Sequence, residues 1–101
     1  MEVVDNFEIE TSSTTTNNQL SFTGTIKNVG EKRYAFITLQ LCSSSGEIIA
    51  GNFLEIGLIE HDETKTFTTM PFKEFVTPLF DHMAYVIELR PLGQVPNQFQ
   101  W

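Results

Sequence analysis

Cysteine, basic side chains and long apolar runs are what this chain has least of, and each scarcity closes off a class of function. Cys42 is the single cysteine in 101 residues, so neither an internal disulfide nor a cysteine-built zinc site is available. Six Lys and Arg stand against thirteen Asp and Glu, a net charge of −7. No window gathers more positive charge than Glu31-Lys32-Arg33. Nucleic acid and anionic membrane surfaces attract clustered cations, so neither is an expected partner; the acidic balance instead favours solubility. No apolar run approaches the ~20 residues of a membrane-spanning helix, so direct membrane insertion of this segment is not expected. The opening Met-Glu-Val-Val-Asp lacks the basic and apolar regions of an export signal. The expectation is a cytoplasmic protein, or an extracytoplasmic one, secreted or in the envelope, whose signal has been trimmed ahead of Met1.

What is present is alternation. In Leu20–Asn28 the apolar Leu20, Phe22 and Ile26 fall on one face with Gly24 between them, while Ser21, Thr23, Thr25 and Lys27 fall on the other. Side chains alternate across a strand, so this spacing describes a sheet with one buried and one wet surface. Tyr34–Cys42 repeats the pattern, with Ala35, Ile37, Leu39 and Leu41 on one side and Tyr34, Phe36, Thr38 and Gln40 on the other. His82–Arg90 does so again, with Met83, Tyr85, Ile87 and Leu89 inward. Further strands are expected over Val3–Ile9, Glu47–Ile56 and Thr64–Phe72. Thr11–Gln19 reads as a polar loop and Val29–Arg33 as a turn with Asn28 and Gly30 at positive φ. Ser43–Gly46 closes a hairpin, and Gly51-Asn52 is the expected bulge. Pro71–Asp81 has near-helical apolar spacing interrupted by Pro78, which predicts an irregular crossover with a short helical turn. Nine Phe against one Trp and two Tyr supply core bulk without polar tips to satisfy.

Six to seven short strands and no credible long helix predict an all-β fold, an immunoglobulin-like antiparallel β-sandwich. Residues 1–91 form the sandwich domain and 92–101 a C-terminal tail. The Cys, Trp, Cys arrangement of true immunoglobulin domains is absent. Phe22-Thr-Gly-Thr-Ile-Lys-Asn28, Ala35–Leu41, Gly46-Glu-Ile-Ile49, Ile56-Gly-Leu58 and Thr64-Lys-Thr-Phe67 together resemble the FxLYD family of small immunoglobulin-like domains, with a wider similarity to LEA14-type modules. The namesake motif maps to Leu39-Gln-Leu-Cys-Ser43, where Cys42 and Ser43 replace its Tyr and Asp, and His61-Asp62 replaces a later Pro-Gly. The resemblance implies a non-catalytic module of extracytoplasmic or envelope proteins.

Candidate chemistry is sparse. His61-Asp62-Glu63 is the densest group of metal-ligand or acid–base side chains, and His82 beside Asp81 is the other imidazole. Together they are the basis of an alternative function, a small metal-binding or hydrolytic protein; the competing reading is an acidic turn solvated by its own carboxylates. Cys42 with either His would supply a thiol and a base only if folding joined them, and no Gly-x-Ser-x-Gly elbow is present. Ser43–Gly46 lacks the Lys and following helix of a phosphate cradle. Asn28 is either a groove contact or a strand-ending residue bonded to the turn after it. Tyr34 and Phe36 lie opposite Ile37 and Leu39. An uncovered face there becomes an aromatic partner site, whereas a covered one makes them core. The leading expectation is a non-enzymatic interaction domain with no cofactor, binding a protein partner through a strand edge or an aromatic face. Tyr34, Phe36, Phe99 and Trp101 are its candidate contacts. A LEA14-like stress-protective domain is a third reading.

Overall fold

Two short turns rich in asparagine organise the N-terminal part of the fold. In the computed structural model, which describes residues 1–90, Asp5 and Asn6 have φ of 49° and 65°, and Asn17 and Asn18 have φ of 52° and 64°. Two-residue loops with positive φ at both positions match the twist of flanking strands, and Asn and Asp tolerate that region through local hydrogen bonding. They join β1 (Glu2–Val4), β2 (Phe7–Thr16) and β3 (Gln19–Asn28) into an antiparallel meander.

Two expectations are corrected here. Val3–Ile9 is not one strand, because Asp5-Asn6 turns the chain inside it. Thr11–Thr16 is not a loop: it pairs with Gln19–Gly24 residue for residue. That stretch carries no hydrophobic contrast, so its periodicity is silent. Its β-branched threonines nonetheless suit a pleated surface.

The chain continues through β4 (Arg33–Cys42), β5 (Ile48–Ile59), β6 (Thr64–Thr68), a 3-10 turn at Glu74–Val76 and β7 (His82–Arg90). Among the described residues, seven strands form two antiparallel sheets, one ordered β1-β2-β3-β6 and the other β5-β4-β7. Phe7, Ile9, Ile26 and Phe67 from the first sheet meet Ala35, Ile37, Leu39 and Ile59 from the second in one buried cluster. Each fully buried Ile, Leu or Phe among them contributes roughly 1.5–3 kcal/mol, and both sheets share this cluster. Gly24 is part of that fit. A methyl group there would sit 2.2 Å from the Glu10 carbonyl oxygen and 2.7 Å from the Phe67 ring.

The crossover after β6 closes one end. Phe22 meets Phe72 and Phe80 edge-on, with ring centroids 6.0 and 5.5 Å apart, and Val76 is buried beside Leu20 and Leu41. Buried Thr69 accepts a hydrogen bond from the Phe22 amide at 2.9 Å, so the chain leaving β6 stays pinned to β3. The strand expected over Thr64–Phe72 therefore ends at Thr68. The expected bulge at Gly51-Asn52 is also displaced: register shifts fall at Ala35/Phe36 and Leu41/Cys42, and positive φ falls at Gly57 (86°) and Gly46 (91°). Neither Asn28 nor Gly30 has positive φ. The hydrogen bonds of the Asn28 side chain shape that turn instead.

Candidate functional site

The three-stranded sheet β5-β4-β7 turns its second face away from the core. Register sets its neighbours there: Leu58, Tyr34 and Arg90 form one row, Glu55, Phe36 and Glu88 the next, and Phe53, Thr38 and Val86 a third. Cross-strand neighbours on one face lie close enough to interact directly, and diagonal neighbours remain within reach of aromatic rings. Phe36 and Phe53 stack at 5.3 Å with 17° between their planes, and Tyr34 tilts against Phe36 at 5.6 Å. The Arg90 guanidinium lies over the Phe36 ring, 4.9 Å from its centroid.

This packing divides the aromatic residues into two kinds. Phe36 is only 8% exposed although no sheet among the described residues covers it, because Tyr34, Phe53 and Arg90 enclose it. Phe53 is 55% exposed, and Leu58 and Val86 are 40% exposed each. Tyr34 is partly buried and donates its hydroxyl to Glu55. That hydrogen bond, reinforced by the carboxylate's charge, raises the Tyr34 phenol above its ordinary value, while Arg90 pulls it down. The surface is thus an apolar patch centred on Phe53, supported by Phe36 and edged by Glu55, Glu88 and Arg90. Phe53 was not among the sequence candidates. It lies in a stretch, Gly51-Asn52-Phe53, whose glycine read as a bulge rather than as a strand with a register to follow. Phe99 and Trp101 lie outside the described residues.

The polar candidates are not brought together. His61 follows Ile59, the partner of Arg33 at one end of β4, whereas His82 pairs with Cys42 at the other end. Nine strand steps of roughly 3.3 Å put these ends about 30 Å apart. The His61 ring bonds the Gly30 carbonyl at 2.7 Å through Nδ1 and reaches Asp62 at 3.3 Å through Nε2. Glu63 caps its own turn, accepting from the Glu60 amide at 2.8 Å. Among the described residues, no three His, Cys, Asp or Glu side chains are grouped to hold a metal ion. Register does set Cys42 opposite His82. The thiol is nevertheless buried and bonds the Gln40 carbonyl at 3.8 Å, while exposed His82 turns Nδ1 to Asp81 at 3.0 Å.

Asn28 proves to be a structural node. It is fully buried, and its Nδ2 donates to the carbonyls of Glu31 (2.7 Å) and Ile59 (3.0 Å). Its Oδ1 accepts from the Gly30 amide at 2.9 Å and from Arg33 at 3.0 Å. One side chain therefore joins the end of β3, the following turn and the end of β5.

No protein-family model matches the chain, and no curated protein or solved structure matches it either.

Proposed function

We propose that this chain is a non-catalytic accessory domain of immunoglobulin-like sandwich architecture, of the kind its FxLYD resemblance implies in envelope-associated or secreted proteins. It binds a protein partner through the outer face of β5-β4-β7. The observation that carries the reading is the stacked run Tyr34, Phe36 and Phe53, which ends in a phenylalanine 55% exposed and flanked by Leu58 and Val86. Exposed apolar side chains scattered singly are ordinary, but a contiguous group held by stacking beneath it is a docking surface. Rigid aromatic anchors lose little side-chain entropy on binding, and interface centres are enriched in them. The opposite face of the molecule, built from Ser12, Thr14, Ser21, Thr23, Thr25, Thr66 and Thr68, offers no such anchor.

A photo-crosslinking side chain placed at position 53 in the native host, and separately at position 23 on the other sheet, tests the reading. A protein adduct of one defined mass at 53 but not at 23, lost when Val86→Ser is added, supports it. Equal labelling at both positions, or none at 53, overturns it.

A further inference from the structure

A groove of about 370 Å³ lies between β5 and the crossover that follows β6, walled by Ala50 and Asn52 on one side and by Met70, Phe72, Phe75 and Val76 on the other. Register fixes how β5 faces it. Ala50 pairs with Leu41 and Asn52 with Leu39, both fully buried, so Ala50 and Asn52 stand on the core side of their sheet while Phe53 stands on the other. Val76 is buried, whereas Met70 and Phe75 are 80% and 62% exposed.

Ligand clefts of this size are lined mainly by apolar and aromatic side chains, with a few polar groups that orient the occupant. Two such groups are present. Asn52 interrupts an otherwise apolar core-side series, Ala50, Leu54 and Ile56, and its Oδ1 is buried with no hydrogen-bond partner among the described residues. A buried acceptor left unpaired is costly. With no bond to that oxygen holding the amide in place, its nitrogen is free to donate to a ligand. Lys73 is the one ionisable side chain among the described residues that line the groove. Glu74, next in sequence, lines a separate groove with Asn18 and Thr77. On the crossover wall Pro71 has no amide hydrogen, and the amides of Phe72 and Val76 already bond the Leu20 and Lys73 carbonyls at 2.8 and 3.0 Å. That wall offers little to the repeated carbonyls of a peptide. It suits an apolar chain with one polar head.

We propose that this groove binds a free aliphatic carboxylate of medium chain length. The chain lies against Met70, Phe72, Phe75 and Val76, and the head accepts hydrogen bonds from the Lys73 ammonium and the Asn52 amide. Hydrogen bonds between ionised partners are the stronger kind, so the head selects an acid over an alcohol or an amine with the same chain. The site uses none of the aromatic side chains of the outer face and fails separately from it.

Octanoate is the probe. Octanol and octylamine are its neutral and cationic counterparts, and N-acetyl-leucyl-leucine is a carboxylate at the end of a peptide. Backbone shifts of the full chain are followed by NMR. Octanoate binds with a Kd near or below about 1 mM and moves the amides of residues 50–52 and 72–76 together. Octanol and octylamine bind more weakly by roughly threefold or more. Lys73→Glu reverses the order of octanoate and octylamine. Asn52→Leu narrows the preference for the acid while Tm stays level or rises, which loss of a purely structural asparagine does not produce. Phe53→Ser changes none of this. Equal binding of the three probes of one chain length, or a Kd far above about 1 mM for octanoate, overturns the proposal. Tighter binding of the dipeptide also overturns it, by assigning the groove to a protein's chain end. So does a nuclear Overhauser contact between Phe75 and the Trp101 ring in the free chain, which assigns it to residues 91–101.

Discussion

Replacing Asn28 by Ala removes the node that joins the end of β3 to β5 and to the turn between β3 and β4, and the structure sets the size of the loss. Three of its hydrogen bonds are to main-chain partners: the Glu31 and Ile59 carbonyls and the Gly30 amide. Each is worth about 1 kcal/mol net. The fourth, from Arg33, involves a half-exposed side chain and is counted near zero. The Ile59 residue is fully buried, so its carbonyl loses a partner that water does not readily replace, adding about 1 kcal/mol. The expected loss is about 3–4 kcal/mol, a large part of the 5–15 kcal/mol typical of a small domain. At roughly 4–8 °C per kcal/mol for this chain length, Tm falls by about 12–30 °C. Urea unfolding followed by far-ultraviolet circular dichroism measures it, with the slope against urea unchanged between the two proteins. Asn28→Asp keeps the acceptor but sets a carboxylate against two carbonyls, and loses at least as much. A loss below about 1 kcal/mol for Asn28→Ala means the side chain joins nothing that solvent cannot join, and refutes the argument.

Gly24→Ala drives a methyl group into the Glu10 carbonyl and the Phe67 ring; overpacking of this kind costs about 1–3 kcal/mol in the same urea assay, and a neutral result shows that β2 and β3 separate freely. Phe36→Ala loses about 3 kcal/mol, at the lower end of buried aromatic truncations. Phe53→Ala, more than half exposed, loses under about 1 kcal/mol, and a reversed order breaks the division of this face into support and contact. A difference absorbance titration of the protein against Tyr34→Phe places the Tyr34 phenol above its ordinary value, and Glu55→Gln moves it down. Because the folded-state value is the higher one, this group's contribution to stability is present below the unfolded phenol value and declines as pH rises through the folded one. An unchanged titration in Glu55→Gln refutes the assigned cause.

The candidate surface was legible only in part. Tyr34 and Phe36 were visible because β4 alternates cleanly, and that same alternation placed Met83, Tyr85 and Ile87 on the core side of β7. Phe53 was not visible. Its face depends on the shifts between β4 and β5, which are properties of the pair and not of either strand. The threonines of β2 were hidden for a different reason: a strand with no apolar side chains beyond Ile9 has nothing for a period-two pattern to mark. The paired positive-φ turns at Asp5-Asn6 and Asn17-Asn18 were the available signal.

The amino-acid order alone determined that the chain is built of strands, which side chains share a face within each, and that cations and thiols are too few for several chemistries. Those are local consequences of pleated backbone and of composition. Only the tertiary structure decided which faces are covered, because coverage is supplied by segments distant in sequence. Arg90 and Phe53 close over Phe36, and one imidazole is left at each end of β4.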